Sequence, residues 1–301
     1  MSNFKRGLDD EFIEALQKEA EKGGWWRDVL ADPSLVLAIR DAYLNVYWLG
    51  QSIFKIRFAQ NSLAVSTHAK YLLNPSLSKQ VKFDGDKFYL GDLEASALVR
   101  DYVSSGETLG KLKKAAAVYA NGEKIGVHSI VTSNPSVVDV EIALSAAGYE
   151  GVGKLPRMDI AAFERAEHAA RLVFWEAKLF ENNELRANNG DAAVVGQIAK
   201  YRSMIAAHKK SLLSSYTRVA ANLSSLADMS LGARSVPDFV REVGRGSRTL
   251  TLSDPADIGL IIFGFDQAQR DHAPWQKHLG GLRAVVGDRI RTSGSPKGIN
   301  I

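Results

Sequence analysis

Apolar and polar positions along this chain of 301 residues alternate with two different periods. Residues 8–22 carry Phe12, Ile13, Leu16 and Ala20 at helical spacing, with Asp9, Asp10 and Glu11 at the end where a helix dipole favours acids. Gly23-Gly24 stops this helix, and Trp25 and Trp26 follow as anchors to a core rather than as base-stacking rings. Asp32-Pro33 opens what reads as a second helix over residues 33–45. The period then shortens to two. Residues 46–49 and 52–58 flank Gly50 as strands, with Lys55 and Arg57 opposite Phe54, Ile56 and Phe58, and residues 63–73 read as the partner strand. The outer face of this hairpin would carry Lys55, Arg57, His68 and Lys70. It reads first as a solvated sheet face and second as a surface for phosphates.

Asp84-Gly-Asp-Lys is a hairpin turn. Residues 93–103 and 109–119 read as helices, the second ended by Asn121-Gly122. Residues 137–144 alternate as a strand, with Val138, Val140, Ile142 and Leu144 on one side and Asp139 and Glu141 on the other. Two strongly apolar runs follow, 156–163 and 171–179, and then a long helical pattern to about residue 225. Residues 232–249 look loop-rich, 259–265 form a continuous apolar run of buried-strand length, 275–286 suit a last helix, and the end is tail-like. The pattern is that of an α/β (α+β) protein without internal repeats.

Composition narrows the classes. Apolar residues at 46% and charged residues at 24% are ordinary for a globular protein. A net charge of +4 permits a polyanionic partner without demanding one. The absence of cysteine excludes disulfides, thiolate zinc sites and cysteine nucleophiles, and it suits a reducing cytoplasm. No signal-peptide core follows the first residues, and no run approaches the ~20 apolar residues of a membrane-spanning helix. The six histidines lack metal-ligand or triad spacing with one another.

The chemistry concentrates in residues 156–201. Side chains two apart on a strand share a face, so Glu176 and Lys178 project together. Asp159 is expected to end the preceding strand, and hairpin pairing would bring it beside Glu176. Two close carboxylates repel, and a hard divalent cation such as Mg²⁺, with Mn²⁺ as substitute, removes that conflict. The Ala177 carbonyl is a natural further ligand. Lys178 can orient water or stabilise transition-state charge, and a lowered pKa that would let it act as a base stays open. Lys154 and Arg157 stand close by in sequence to hold phosphates. Gln197 and Tyr201, one helical turn apart, share a face.

Asp159, then Glu176-Ala177-Lys178, then Gln197-x-x-x-Tyr201 resembles the PD-(D/E)XK nuclease superfamily, in the RecB-type and lambda-exonuclease-like variant. The literal Pro-Asp pair is absent, since Met158 precedes Asp159. The resemblance implies a restriction-endonuclease-like core with a central four-stranded mixed sheet flanked by helices, over residues 106–301. Residues 1–105 would be an N-terminal α+β extension, open to DNA-contacting, dimerising or autoinhibitory roles. It carries over Asp159 and Glu176 as metal ligands, Lys178 as the catalytic lysine, and Gln197 and Tyr201 as motif residues. An upstream acid would be Glu141, with Asp139 and Glu123 as rivals. The activity implied is Mg²⁺-dependent phosphodiester hydrolysis, in DNA before RNA, for nucleic-acid processing or defence against foreign DNA. A homodimer is compatible with it. The alternative is a nuclease-fold protein that binds nucleic acid or a partner without cutting.

Overall fold

A computed structural model describes residues 4–72, 80–90, 99–144, 157–187 and 190–301. Two six-stranded sheets with helices around them form the framework. The chain opens with α1 (Asp10–Lys22) and α2 (Gly24–Ala31). The Asp9 side chain accepts the Phe12 N–H at 2.9 Å to cap α1, and Trp25 and Trp26 are buried as anchors.

The first sheet is an antiparallel meander of β1 (Val36–Ile39), β2 (Tyr43–Trp48), β3 (Gln51–Ala59), β4 (Ser62–His68), β5 (Gln80–Phe83) and β6 (Phe88–Tyr89). The helix expected over 33–45 is therefore a hairpin. Its apolar run is too short to distinguish a buried helix from a buried strand, and Ala42 turns the chain in the left-handed region (φ 55°) so that β1 pairs with β2. Phe54, Phe83 and Trp25 pack together on one face.

Next come α3 (Glu107–Ala117) and α4 (Gly122–Ser133). Of the helix expected over 93–103, the described residues 99–103 are not helical, and Asp101 instead bridges to Lys87. Asn121-Gly122 does not end a helix; the Asn121 side chain accepts the Lys124 N–H at 2.9 Å and starts α4.

The second sheet has the order β12-β11-β9-β8-β7, from β7 (Val137–Ala143), β8 (Arg157–Arg165), β9 (Ala169–Leu179), β11 (Ile258–Phe263) and β12 (Ile290–Ser293). β10 (Thr249–Thr251) pairs with the start of β9. The sheet is mixed as expected, but it has six strands rather than four. β10 and β12 arise in segments that read as loop and tail, too short for a period to show, and they exist because β9 and β11 offer parallel edges. The loop-rich stretch also contains α6 (Asp238–Gly244).

One face of this sheet, with Ala161, Phe163, Leu172, Phe174, Leu260 and Ile262, packs in one core with α5 (Ala193–Met229) and the N-terminal elements. The other face, with Ile160, Val173, Trp175 and Ile261, packs with Ile130 and Val131 of α4. Gly126 lets α4 approach β11, since a Cβ there would overlap the ring of Phe263. The chain closes with α7 (Gln267–Asp271) and α8 (Ala273–Val286). No helix among the described residues is long and apolar enough to cross a membrane.

The first 105 residues and the rest share a core. Leu8 is tied to α5 by Asn222, whose carbonyl accepts the Leu8 N–H at 2.9 Å and whose amide donates to the Leu8 carbonyl at 3.2 Å. Asp139 of β7 accepts from Arg40 of the first-sheet hairpin, from Arg6 at 3.1 Å and from Tyr216 of α5 at 3.1 Å.

Candidate active site

β8 and β9 form an antiparallel hairpin with Ile160 opposite Trp175. Asp159 is the third residue of β8 rather than its last, because pairing with β9 carries the strand on to Arg165. The hairpin still brings it to the end of β9 that carries Glu176. The Ala177 N–H donates to Asp159 Oδ2 at 2.8 Å, which fixes the carboxyl beside Glu176. Strand parity puts Glu176 and Lys178 on the α5 side, with Leu172 and Phe174.

Burial governs the charges here. Glu176 and Lys178 are only 2% and 7% exposed. Glu176 Oε1 accepts from Lys178 Nζ at 2.9 Å and from Gln197 Nε2 at 2.9 Å, while the buried Oε2 has no hydrogen-bond partner. Removal from water, and then the charge of Glu176, push the Asp159 carboxyl well above the usual carboxylate range. Glu176 is pushed up by burial too, with Lys178 opposing.

Lys178 moves opposite to a lysine base. Burial works against its charge, but Glu176 and Glu184 outweigh that and hold the ammonium above its ordinary range. Glu184 Oε2 lies 2.7 Å from Lys178 Nζ. Glu184 was not legible from spacing, because it sits on a short 3-10 turn outside any strand or helix period.

Gln197 and Tyr201 share a face of α5, as their spacing predicts, and that face meets Glu176. Gln197 Nε2 also donates to the Tyr201 hydroxyl at 2.7 Å, and Tyr201 is buried, its hydroxyl pushed up by burial and then by Glu176. The other predicted residues divide. Arg157 lies exposed and pairs with Glu141 at 3.4 Å, so each occupies the other. Lys154 lies outside the described residues. Asp139 is committed to Arg6, Arg40 and Tyr216. Glu123 accepts from the Leu179 N–H at 3.3 Å and from Asn182 at 3.2 Å. Glu123, Glu141 and Asp159 nevertheless line one cavity of about 110 Å³, together with Tyr47, Lys124 and His128.

Among the described residues no group of three or more histidine, aspartate or glutamate side chains is arranged to hold a metal ion. Two carboxylates suit Mg²⁺, which keeps several waters and takes one or two protein carboxylates. The partnerless Glu176 Oε2 and the repulsion between Asp159 and Glu176 are what a cation would relieve. No family of proteins, no characterised protein and no solved structure matches this chain.

Proposed function

We propose that the protein is a Mg²⁺-dependent nuclease that hydrolyses phosphodiester bonds, with DNA as substrate before RNA. The observation that carries this reading is the Glu176 carboxylate. It is buried beside a second acid, held on one oxygen by Lys178 and Gln197, and buried without a hydrogen-bond partner on the other. An arrangement that costly to bury is retained where charge must be handled.

Asp159 and Glu176 would hold the ion, which when bound polarises a phosphodiester and makes its water a better nucleophile. The Ala177 N–H keeps Asp159 aimed at the place where the two acids meet. Gln197, itself bonded to Tyr201, fixes Glu176 Oε1, and Oε2 is the carboxylate oxygen left to bind an ion. Lys178 stays an ammonium, so it serves as a fixed positive charge for the oxygens that gain charge as the phosphorus is attacked, and not as the base.

Linear and closed circular DNA, and RNA, are incubated with wild type and with Asp159→Asn, Glu176→Gln and Lys178→Ala, in Mg²⁺, Mn²⁺ or EDTA. Cleavage that needs the metal and is lost in each variant supports the reading. Activity that persists in all three, or in EDTA, overturns it. Metal-independent binding without cleavage would favour a nuclease-fold binding protein.

A further inference from the structure

The stretch from Ala42 to Phe83 contains no aspartate or glutamate, yet it carries Lys55, Arg57, Lys70, Lys79 and Lys82. Its described residues form β2 to β5, and the registers line their polar side chains up. Asn45 pairs with Lys55, Lys55 with Ser66, Ser66 with Lys82, and Lys82 with Tyr89. Five strands at about 4.8 Å spacing make a row of roughly 19 Å across one face. Tyr43 pairs with Arg57 in the neighbouring row. The opposite face is closed by α1, α2 and the Trp25, Phe54 and Phe83 cluster.

Among the described residues, the cations on this face have rings rather than carboxylates for neighbours. Lys55 Nζ lies 4.3 Å from the centre of the Tyr43 ring and the Arg57 guanidinium 5.8 Å from it. Lys82 Nζ lies 5.3 Å from the Tyr89 ring, which is 56% exposed. Farther along, Lys70 lies 4.4 Å from the Tyr119 ring. One acid at the margin, Asp84, takes the Tyr89 hydroxyl at 2.6 Å. Lys55 is pulled below its ordinary pKa by burial and then by Arg57, and Lys70 by burial and then by Lys124.

We infer that this open face is a platform for a single nucleic-acid strand, running past Tyr47 toward Asp159. Charge complementarity names the polyanion, and the rows of cations beside the exposed Tyr89 and half-buried Tyr43 rings suit splayed bases with phosphates in reach. Tyr47 of β2 ties the face to the site, because it lines the same cavity as Asp159 and Glu141. The platform adds a binding surface to the catalytic reading above and is tested apart from cleavage.

Binding of labelled oligo(dT) is followed by fluorescence anisotropy in EDTA over a range of salt. The triple change Lys55→Ala, Arg57→Ala and Lys82→Ala is expected to weaken binding at least tenfold. It should also lower the log–log salt slope by about 2, at roughly 0.7 for each lost phosphate contact. Tyr43→Leu should weaken binding severalfold and leave the slope alone. Lys209→Ala with Lys210→Ala, on α5, should change neither. Lys82→Ala alone, at an exposed position, keeps the test available if the triple variant folds poorly. Affinity within twofold of wild type and an unchanged slope overturn the platform, as does a wild type that binds no single strand or prefers duplex. A chain that cuts DNA but binds equally well after the triple change overturns the platform alone; one that binds but never cuts overturns the catalytic reading alone.

Discussion

The Lys178 ammonium stands between two carboxylates, 2.9 Å from Glu176 and 2.7 Å from Glu184. The two partners differ. Glu176 is buried, whereas the Glu184 side chain is 48% exposed and can turn to water. In the proposed reaction Glu184→Gln should therefore lower cleavage by less than about tenfold and Lys178→Ala should abolish it, since only the second removes the charge assigned to the reacting phosphate. Rates of both variants under saturating Mg²⁺ decide this; equal losses would give Glu184 a share in the chemistry.

Asp159→Asn tests the repulsion between the acids. An amide oxygen still accepts the Ala177 N–H, but the ionisable carboxyl that burial and then Glu176 disfavour is gone. In EDTA the variant should melt higher than wild type, by about 2 °C for each kcal/mol relieved in a chain of this size. Adding Mg²⁺ should raise the melting temperature of wild type and not of the variant. A variant that melts lower in EDTA would mean that the pair is not in conflict.

Asp139 is held by Arg6, Arg40 and Tyr216, which ties it to the fold. Asp139→Ala leaves buried Arg40 without its carboxylate and Tyr216 without its acceptor. Breaking one partner of a buried pair costs about 3–5 kcal/mol. Urea denaturation should show a loss of that size, and any fall in cleavage should follow the unfolded fraction.

His128 supplies a pH dependence. Burial pushes its imidazole down to about 4, and the Ser34 backbone only partly offsets this. Nε2 is buried without a partner, and the ring meets Trp48 edge-on at 5.1 Å. The unfolded chain takes up the proton near pH 6.5, while the folded chain resists it until about pH 4. Stability contributed by the neutral ring is thus whole above pH 6.5 and falls progressively toward pH 4, by about 3 kcal/mol at most. His128→Phe should flatten that part of the stability–pH curve. An unchanged slope between pH 6.5 and 4 would assign the loss to other groups.

The residues at the site divide by the range of the forces that place them. Glu176, Lys178, Gln197 and Tyr201 were legible because each pair is set by a local period, two along β9 and four along α5. Which upstream acid joins them was not. β7 carries a register shift between Val137 and Asp139, and Glu141 has φ 52°, so simple alternation fails there. Whether Asp139 meets Arg6, Arg40 and Tyr216 depends on groups 133, 99 and 77 residues away.

The sequence by itself determined the long amphipathic helices, the β8–β9 hairpin, the buried strand β11 and the spacing of the site residues, all of which follow from neighbours within a turn or a pleat. Tertiary structure decided the rest. It made strands of residues 36–48 where Pro33 suggested a helix, recruited β10 and β12 to waiting sheet edges, and bound Lys178 to Glu184 across a turn. It also turned Lys55, Arg57 and Lys82 from separate surface charges into facing rows. The physical reason is the same in each case. Strand pairing and buried charge are satisfied by partners far along the chain, and a local pattern carries no record of which partner will arrive.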